Sequence, residues 1–184
     1  DAGSDAAVRR SAEFQGIQWK FADMKIKLER LRADIEALAK FGRDPRGGIS
    51  RPSFSQADFE AQAWLKEKIC EAGLCYRRDG AGNTFGRLGT DGRAVLVGSH
   101  IDTVINGGAF DGTIGVLAGL ECLRRIKEIG RPPAKPLELV SFTDEEGNLV
   151  GDFLGSRAFA GLLNKEEIEK GGTSFGRPLK DILA

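Results

Sequence analysis

The sequence predicts an α/β domain in which a layered sheet carries helices on both faces. Two observations carry this prediction: short strand-like runs are separated by turn residues, and long helical patterns precede, interrupt and follow them. At 184 residues, the chain is long enough for one domain with a sizeable core. The chain is therefore expected to form a single layered unit, and its sequence contains no internal repeats.

The helices are predicted from apolar residues that recur at three- and four-residue spacing. Ser55 is a favourable N-cap for the second helix, and Gly42, Gly73 and Gly130 follow the three long helices. The third helix is unusually apolar, so we expect it to be buried on most sides. The long helices are predicted at about 25–41, 56–72 and 113–129, with helical turns around 156–162 and 165–170.

The second helix also carries one of the three cysteines. We expect its Phe59, Ile69 and Cys70 to share one face, and we expect Cys70 and Cys122 to pack as small hydrophobes. With Cys75 the cysteines are odd in number and lack CxxC spacing. This usage favours reduced thiols over a disulfide framework and predicts a cytoplasmic protein.

Four strands are predicted, at 74–79, 84–89, 94–99 and 137–142. The sequences GAGN and TDGR, which follow the first and second strands, have turn composition. The last strand, LELVSF, is a continuous apolar run of the kind found in sheets covered on both faces. This pattern completes the α/β prediction.

Charge and hydropathy argue against several function classes. Twenty-seven basic residues balance 27 acidic ones, so no bulk attraction to nucleic acid or an anionic membrane is expected. No apolar run approaches the roughly 18 residues that cross a bilayer, and residues 1–23 lack the apolar core of a secretory signal. The phosphate-binding motifs GxGxxG after the first strand and GxxxxGK[ST] are not present in the sequence.

Titratable side chains follow two of the predicted strands. His100, the only histidine, follows the strand AVLVGS, and Glu145 and Glu146 follow LELVSF. Sites in open α/β sheets gather outside the carboxyl ends of strands, so we expect these residues to face each other. An imidazole nitrogen with several carboxylates is a donor set for zinc or manganese. Asp102 is placed to accept a hydrogen bond from the other ring nitrogen, and Asp111 to bridge two ions.

The two adjacent glutamates are expected to have different roles. One would bind metal, and the other would take a proton from water and later protonate a leaving nitrogen. Each residue also has an ordinary structural explanation: a histidine beside a strand, an Asp111 that caps the helix at 113–129, and a solvated pair of glutamates. Their joint placement favours the site.

Two long motifs carry a family resemblance. The sequences GSHIDTV.NGG.FDG..GVLAGLE and FTDEEG…LGSRAFAG closely resemble the dinuclear-metal amidohydrolases, which include N-carbamoyl-L-amino-acid hydrolases, allantoate amidohydrolase and β-ureidopropionase. These enzymes are relatives of zinc aminopeptidases and carboxypeptidase-G-type enzymes. The resemblance runs from about Leu28 to Gly161 and includes GGISRPSFS and AGNTFGRL. It implies a zinc-aminopeptidase-like catalytic domain.

The resemblance also implies roles for individual residues. His100 would bind one of two divalent zinc or manganese ions, Asp111 would bridge them, and Glu146 would bind the other. Glu145 would be the general acid/base, and Asp102 would orient His100. The implied reaction is hydrolysis of a C–N bond in a small N-carbamoyl or ureido compound.

Two further residues lie in loops that resemble family motifs. Arg51 belongs to GGISRPSFS and Asn83 to AGNTFGRL, and both are expected to line the substrate side. The alternative is that they are ordinary polar residues of loops.

The chain departs from the family pattern in two ways. Relatives commonly carry an arginine and a phenylalanine shortly after the EEG, whereas the corresponding stretch here is NLVGDF and is one residue shorter, so a contact on the substrate side is expected to be missing. The family is also about twice as long, with a lid and dimerisation domain and further histidine ligands beyond residue 184. We therefore expect residues 1–23 to be an extension or tag-like segment and 24–184 to be the N-terminal part of the catalytic domain of a homodimer.

Two alternatives to an amidohydrolase remain at this stage. One is a metallopeptidase or aminoacylase of the same superfamily. The other is a catalytically incomplete fragment with a structural or binding role, which the single histidine supports.

Overall fold

Helices and strands alternate along the described part of the chain, which comprises residues 27–130, 132–147 and 153–170 of a computed structural model. The predicted boundary after residue 23 and the stretch 148–152 lie outside these residues. In chain order the elements are α1 (Leu28–Leu38), α2 (Gln56–Glu71), β1 (Cys75–Arg78), β2 (Thr84–Leu88), β3 (Val95–His100), α3 (Thr113–Ile129), β4 (Leu137–Phe142), α4 (Leu154–Phe159) and α5 (Lys165–Lys170).

The element bounds agree closely with the sequence, and α3 and β4 match it at both ends. The C-terminal ends of α1 and α4 each fall about three residues before the predicted position, at Leu38 rather than near 41 and at Phe159 rather than near 162. In α1 the hydrogen bonds explain the early end. There the N–H groups of Lys40 and Phe41 donate to the carbonyls of Ala37 and Leu38, three residues back. This tighter hydrogen-bond spacing closes the helix before the predicted residue.

The four strands form one sheet in the order β1-β2-β4-β3. β1 pairs with β2 and β2 with β4 in antiparallel register, whereas β3 and β4 are parallel. His100, the last residue of β3, is opposite Phe142, the last residue of β4. The carboxyl ends of these two strands therefore lie side by side.

Two long helices cover one face of the sheet. α3 approaches so closely that a Cβ at Gly119 would lie 3.0 Å from Leu139 of β4, and one at Gly115 would lie 2.8 Å from Ser99 of β3. α2 lies over Gly86, which pairs with Leu139 and so shares its face. α1 packs on α3. The main core lies between these helices and the sheet.

The opposite face carries the short helix α4. The Phe159 ring lies 5.9 Å from the ring of Phe85 and 5.7 Å from that of Phe142, measured between centroids. Phe85 pairs with Val140, two residues from Phe142, so these side chains share the face opposite Leu139. The predicted α/β class with helices on both faces is confirmed.

As predicted, α3 is buried on most sides: it packs on the sheet and α1, and its residues from Gly115 to Ile126 are buried or half-buried, while Ile114 and the last turn are exposed. The prediction for the face of α2 is wrong. In α2, Phe59 and Cys70 are exposed, so Cys70 is not a packed hydrophobe. The buried side of α2 contains Asp58 and Gln62 beside its apolar residues, which hides the buried face from a hydrophobic pattern.

Ion pairs connect α1 to α3. We term the residues that form them the helix ion-pair cluster: Arg30, Asp34, Glu121, Arg124 and Glu128. Glu121 is fully buried and accepts hydrogen bonds from Arg30 Nε at 2.6 Å and Arg30 Nη2 at 2.9 Å. Arg124 pairs with Asp34, and Arg30 also pairs with Glu128. Each charge in the cluster therefore meets an opposite charge.

Within the described ranges, no helix combines the length and apolar character needed to cross a bilayer.

Candidate metal centre

The candidate site forms where β3 and β4 end. Because the strands are parallel neighbours, the loop after His100 lies beside the loop that carries Glu145 and Glu146. The sequence predicts this meeting, and the structure brings the residues together. A cleft of about 500 Å³ opens there, lined by Ser99, His100, Asp111, Glu145, Glu146 and Phe153.

Three side chains in this cleft converge as metal ligands do. One ligand atom from each of His100, Asp111 and Glu146 lies within 4.8 Å of the others. His100 Nε2 is 3.7 Å from Glu146 Oε1. We call these three residues the donor triad. An imidazole nitrogen and two carboxylates match the ligand chemistry of zinc and manganese, so the residues fit a divalent ion.

Asp102 sets the orientation of the imidazole, although not in the predicted way. Its main-chain carbonyl lies 3.1 Å from His100 Nδ1, whereas its carboxylate Oδ1 lies 3.6 Å away. A carbonyl only accepts, so this contact places the proton on Nδ1 and leaves Nε2 with its lone pair towards Glu146. The hydrogen-bond acceptor is thus the backbone of Asp102 rather than its side chain.

The Asp102 carboxylate instead joins the two loops. Its Oδ2 accepts a hydrogen bond from the Glu146 N–H at 3.1 Å. Its Oδ1 is buried and has no hydrogen-bond partner within the described part of the chain. The Asp102 side chain therefore holds the loop after β4 through one oxygen, and its other oxygen lies 3.6 Å from the imidazole.

The charges around His100 change its acidity. Burial lowers the pKa of the imidazole, but the carboxylates of Asp102 and Glu146 and the Asp102 carbonyl outweigh this effect, so the net pKa is raised. A proton therefore competes for Nε2 up to a higher pH than for a free imidazole.

Asp111 reaches the site because of the backbone that follows it. The N-cap of α3 is Gly112, at φ 61°, so Asp111 does not cap the helix as its alternative structural explanation required. A Cβ at Gly112 would overlap the imidazole of His100. Glycine is required here both for the left-handed backbone and for the close approach of the ring.

Glu145 is held by a residue that the sequence analysis missed. Its Oε1 accepts a hydrogen bond from the Ser156 N–H at 2.8 Å, and its Oε2 accepts one from Ser156 Oγ at 2.7 Å. Ser156 belongs to the LGSRAFAG motif. The motif supports the resemblance, but the contact depends on how α4 folds back on β4, which no spacing predicts.

Arg51 and Asn83 do not line the cleft. Arg51 is 1% exposed, and its guanidinium donates to main-chain carbonyls, including that of Ile101 at 2.7 Å. Asn83 is fully buried, accepts from the Thr143 N–H at 2.9 Å and donates to the Gly155 carbonyl at 3.0 Å. Both therefore hold the backbone behind the cleft instead of facing it.

Ser53 likewise holds the backbone of the loop after β4 by a hydrogen bond. Ser53 Oγ accepts a hydrogen bond from the Asp144 N–H at 2.9 Å, and both residues are buried. Asp144 has a φ of 57°, in the left-handed region. The backbone that presents Glu145 and Glu146 is thus fixed in an unusual conformation by side chains from other loops.

Comparison with known proteins agrees with this fold. Residues 83–174, half of the 184, match the model of peptidase family M28. The chain therefore belongs to peptidase family M28.

Individual relatives point to one branch of hydrolases. The chain is 45% identical over 148 residues to an N-carbamoyl-L-amino acid amidohydrolase of Geobacillus stearothermophilus, covering 78% of this chain and 36% of that protein. It is 39% identical over 153 residues to an allantoate amidohydrolase of Bacillus subtilis (strain 168), covering 81% and 37%.

A solved structure extends this similarity to the fold. The crystal structure of a hydantoinase/carbamoylase family amidase from Burkholderia ambifaria superposes with a TM-score of 0.80 at 36% identity, covering 87% of this chain and 41% of that one. The chain thus spans well under two thirds of the length of each of these relatives.

Proposed function

We propose that this chain belongs to a metal-dependent amidohydrolase that cleaves non-peptide C–N bonds in N-carbamoyl amino acids or other ureido compounds. The observation that carries the proposal is the donor triad, which has Glu145 beside it in one cleft. Relatives described as N-carbamoyl-L-amino acid and allantoate amidohydrolases support the substrate class.

The proposed cofactor is a pair of divalent ions, zinc or manganese. His100 would hold one ion, Glu146 the other, and Asp111 would lie between them. When bound, such ions lower the pKa of water and polarise a carbonyl oxygen. The donor atoms support this assignment because all are acceptors within reach of one another.

The remaining residues would manage the proton and the geometry. Glu145, held on both oxygens by Ser156, takes a proton from water and returns it to the leaving nitrogen. Asp102 orients His100 through its carbonyl and fixes Glu146 through its carboxylate. Arg51 and Asn83, which the sequence analysis placed on the substrate side, act behind the cleft in this proposal.

The proposed protein is larger than this chain. Residues 24–184 would be the N-terminal part of its catalytic domain, after an extension at 1–23, and its substrate would be a small molecule. The cysteines Cys70, Cys75 and Cys122 are free thiols, which supports a reducing cytoplasm. A homodimer of the whole protein rests on the family resemblance alone.

The adjacent glutamates provide the sharpest test. Metal content and hydrolysis of N-carbamoyl amino acids and allantoate are measured on the same samples, with zinc or manganese added and the intact mass determined. Glu145→Gln is expected to keep the metal and lose turnover, whereas Glu146→Gln loses both. If the wild type binds metal and turns over substrate, and both variants do so to the same extent, the proposal is refuted.

A peptidase is the second candidate, because the matching model describes a peptidase family. Dipeptides are therefore included as substrates in the same assay. Turnover of dipeptides without turnover of ureido compounds would replace the proposal by a metallopeptidase. A wild-type chain that takes up no metal and turns over neither class would indicate a catalytically incomplete fragment.

A further inference from the structure

The segment 48–53, which we call the bracket segment, lies against both loops of the candidate metal centre. Ile49 exchanges two backbone hydrogen bonds with Gly107, at 3.0 and 2.8 Å. Arg51 accepts from the Thr103 N–H and donates its own N–H to Thr103 Oγ1, both at 2.9 Å. Ser53 accepts from the Asp144 N–H. One segment therefore fixes the backbone after β3 and after β4.

The side chain of Arg51 reaches the point where this support matters most. Its Nε donates to the Ile101 carbonyl at 2.7 Å, and Ile101 lies between His100 and Asp102. Its Nη1 donates to the carbonyl of Leu38, the last residue of α1, at 3.0 Å and to that of Phe41, just beyond the helix, at 2.9 Å. The guanidinium thus ties the chain next to the imidazole to the end of a packed helix.

A charged side chain is energetically unfavourable at this buried position. Burial lowers the pKa of Arg51 to about 10, although Asp58 and Asp102 oppose this effect. Within the part of the chain that the structure describes, its hydrogen bonds go to carbonyls and it forms no ion pair. A buried cation without a paired carboxylate is normally disfavoured against an apolar side chain of similar volume.

We propose that Arg51 is a positioning residue for the candidate metal centre. By holding the Ile101 carbonyl it sets the peptides on either side, and so the direction in which His100 Nε2 points. The inference rests on the proposed metal centre. In it, a residue outside the cleft holds His100, one of the proposed metal ligands, in the orientation that binding needs.

Electrostatics and geometry predict opposite results when Arg51 is replaced. Removing a positive charge near a site for dications would strengthen metal binding if charge were its main effect. Removing the support of a ligand weakens binding, typically 10- to 100-fold for residues that orient metal ligands. The sign of the change therefore separates the two roles.

The experiment uses the full chain with Arg51→Met and Arg51→Lys. Lysine keeps the charge, but its compact ammonium does not span the three carbonyls. Leu65→Ala is the matched control, since Leu65 is fully buried in α2 and lies outside the bracket segment, and its truncation lowers stability. Urea unfolding confirms that the control and Arg51→Met lose comparable stability.

Two readouts are made on each variant. The ¹H–¹⁵N spectrum of the imidazole is recorded in the metal-free chain, where His100 is the only histidine and needs no assignment. Zinc and manganese affinity are then measured by titration calorimetry.

We expect Arg51→Met to shift the His100 ring resonances and to weaken zinc affinity at least tenfold. Arg51→Lys should weaken it at least several-fold, and Leu65→Ala should leave both readouts unchanged. If Arg51→Met does not fold, Arg51→Lys alone decides, because it retains the charge and loses the geometry.

Several outcomes would overturn the inference. They are wild-type spectra and affinity in the Arg51 variants, tighter metal binding in Arg51→Met, or equal changes in Leu65→Ala. Failure of the proposed function is a separate result: a wild-type chain that binds neither zinc nor manganese removes the metal centre, whatever the Arg51 variants do to the imidazole spectrum.

Discussion

Charged side chains gather at two places in this molecule, with opposite composition. In the helix ion-pair cluster, the buried carboxylate of Glu121 meets the guanidinium of Arg30, and Arg124 meets Asp34. In the candidate metal centre, the donor triad brings together hydrogen-bond acceptors, and the lining residues that the structure describes include three carboxylates and no lysine or arginine.

The difference separates stability from function. Paired charges neutralise each other inside the fold, so their loss should appear in the free energy of unfolding. Converging acceptors repel one another until a cation arrives, so their loss should appear in metal binding. Natural folds accept such local conflict mainly where a site needs it. The predictions below test this division.

The largest effect is expected for Glu121→Ala. It leaves Arg30 and Arg124 facing a buried void without their carboxylate, which should lower the free energy of unfolding by about 3–5 kcal/mol. Urea denaturation measures the loss, and metal affinity should not change. Glu128→Ala is the matched control: its side chain is 33% exposed, and a loss of less than about 1 kcal/mol is expected. Equal losses in the two variants would show that burial does not matter here.

Asp58 tests a buried carboxylate outside both groups. Burial raises its pKa from 3.8 to about 6. Between these values the folded chain keeps a proton that the unfolded chain has lost, so stability falls as the pH rises through this window, by about 3 kcal/mol. Asp58→Asn should remove this slope in unfolding experiments from pH 4 to 7. A variant with the wild-type slope would assign the pH dependence to another group.

Asp111→Asn should act on metal binding alone. Loss of one donor charge should weaken zinc or manganese affinity at least tenfold, whereas the free energy of unfolding should stay the same or rise, because repulsion within the donor triad is relieved. Calorimetric titration and urea unfolding measure the two quantities. Asp91→Asn, at an exposed aspartate after β2, should change neither. A large loss of stability in Asp111→Asn would mean that the residue is structural.

The smallest effect is expected for Ser156→Ala. The Glu145 carboxylate loses one hydrogen bond from Oγ but keeps the one from the Ser156 N–H, so stability should fall by about 1 kcal/mol. Turnover should fall while metal content is retained. Ser156→Thr keeps the hydroxyl and should restore most of the turnover. If Ser156→Ala loses metal, the serine supports the donor triad rather than Glu145.

The sequence predicts the meeting of the two loops because one general rule determines it. Parallel neighbouring strands end at the same edge, so residues placed directly after them must lie together, as His100 and Glu146 do. The hydrophobic pattern likewise predicts α3 and β4 to the residue.

What the sequence does not predict depends on contacts between distant loops. Three features of the site are of this kind: the burial of Arg51, the contact of Ser156 with Glu145, and the hydrogen bond to the Asp102 carbonyl. Each depends on which polar atoms the fold removes from water. Backbone carbonyls carry no sequence signature, so a side chain that serves them resembles any polar loop residue. The prediction for the face of α2 is wrong for the same reason, since Asp58 and Gln62 are buried and accept hydrogen bonds from Phe54 and Thr84.

The close contact between α3 and the sheet has a consequence for how such a chain diversifies. Added methyl groups at Gly112 and Gly115 would collide with the imidazole and with Ser99, and one at Gly119 would lie 3.0 Å from Leu139. These positions tolerate little change, so variation for new substrates is expected elsewhere. Phe110, next to Asp111, is exposed, and a mutational library has room to vary there without moving the helix.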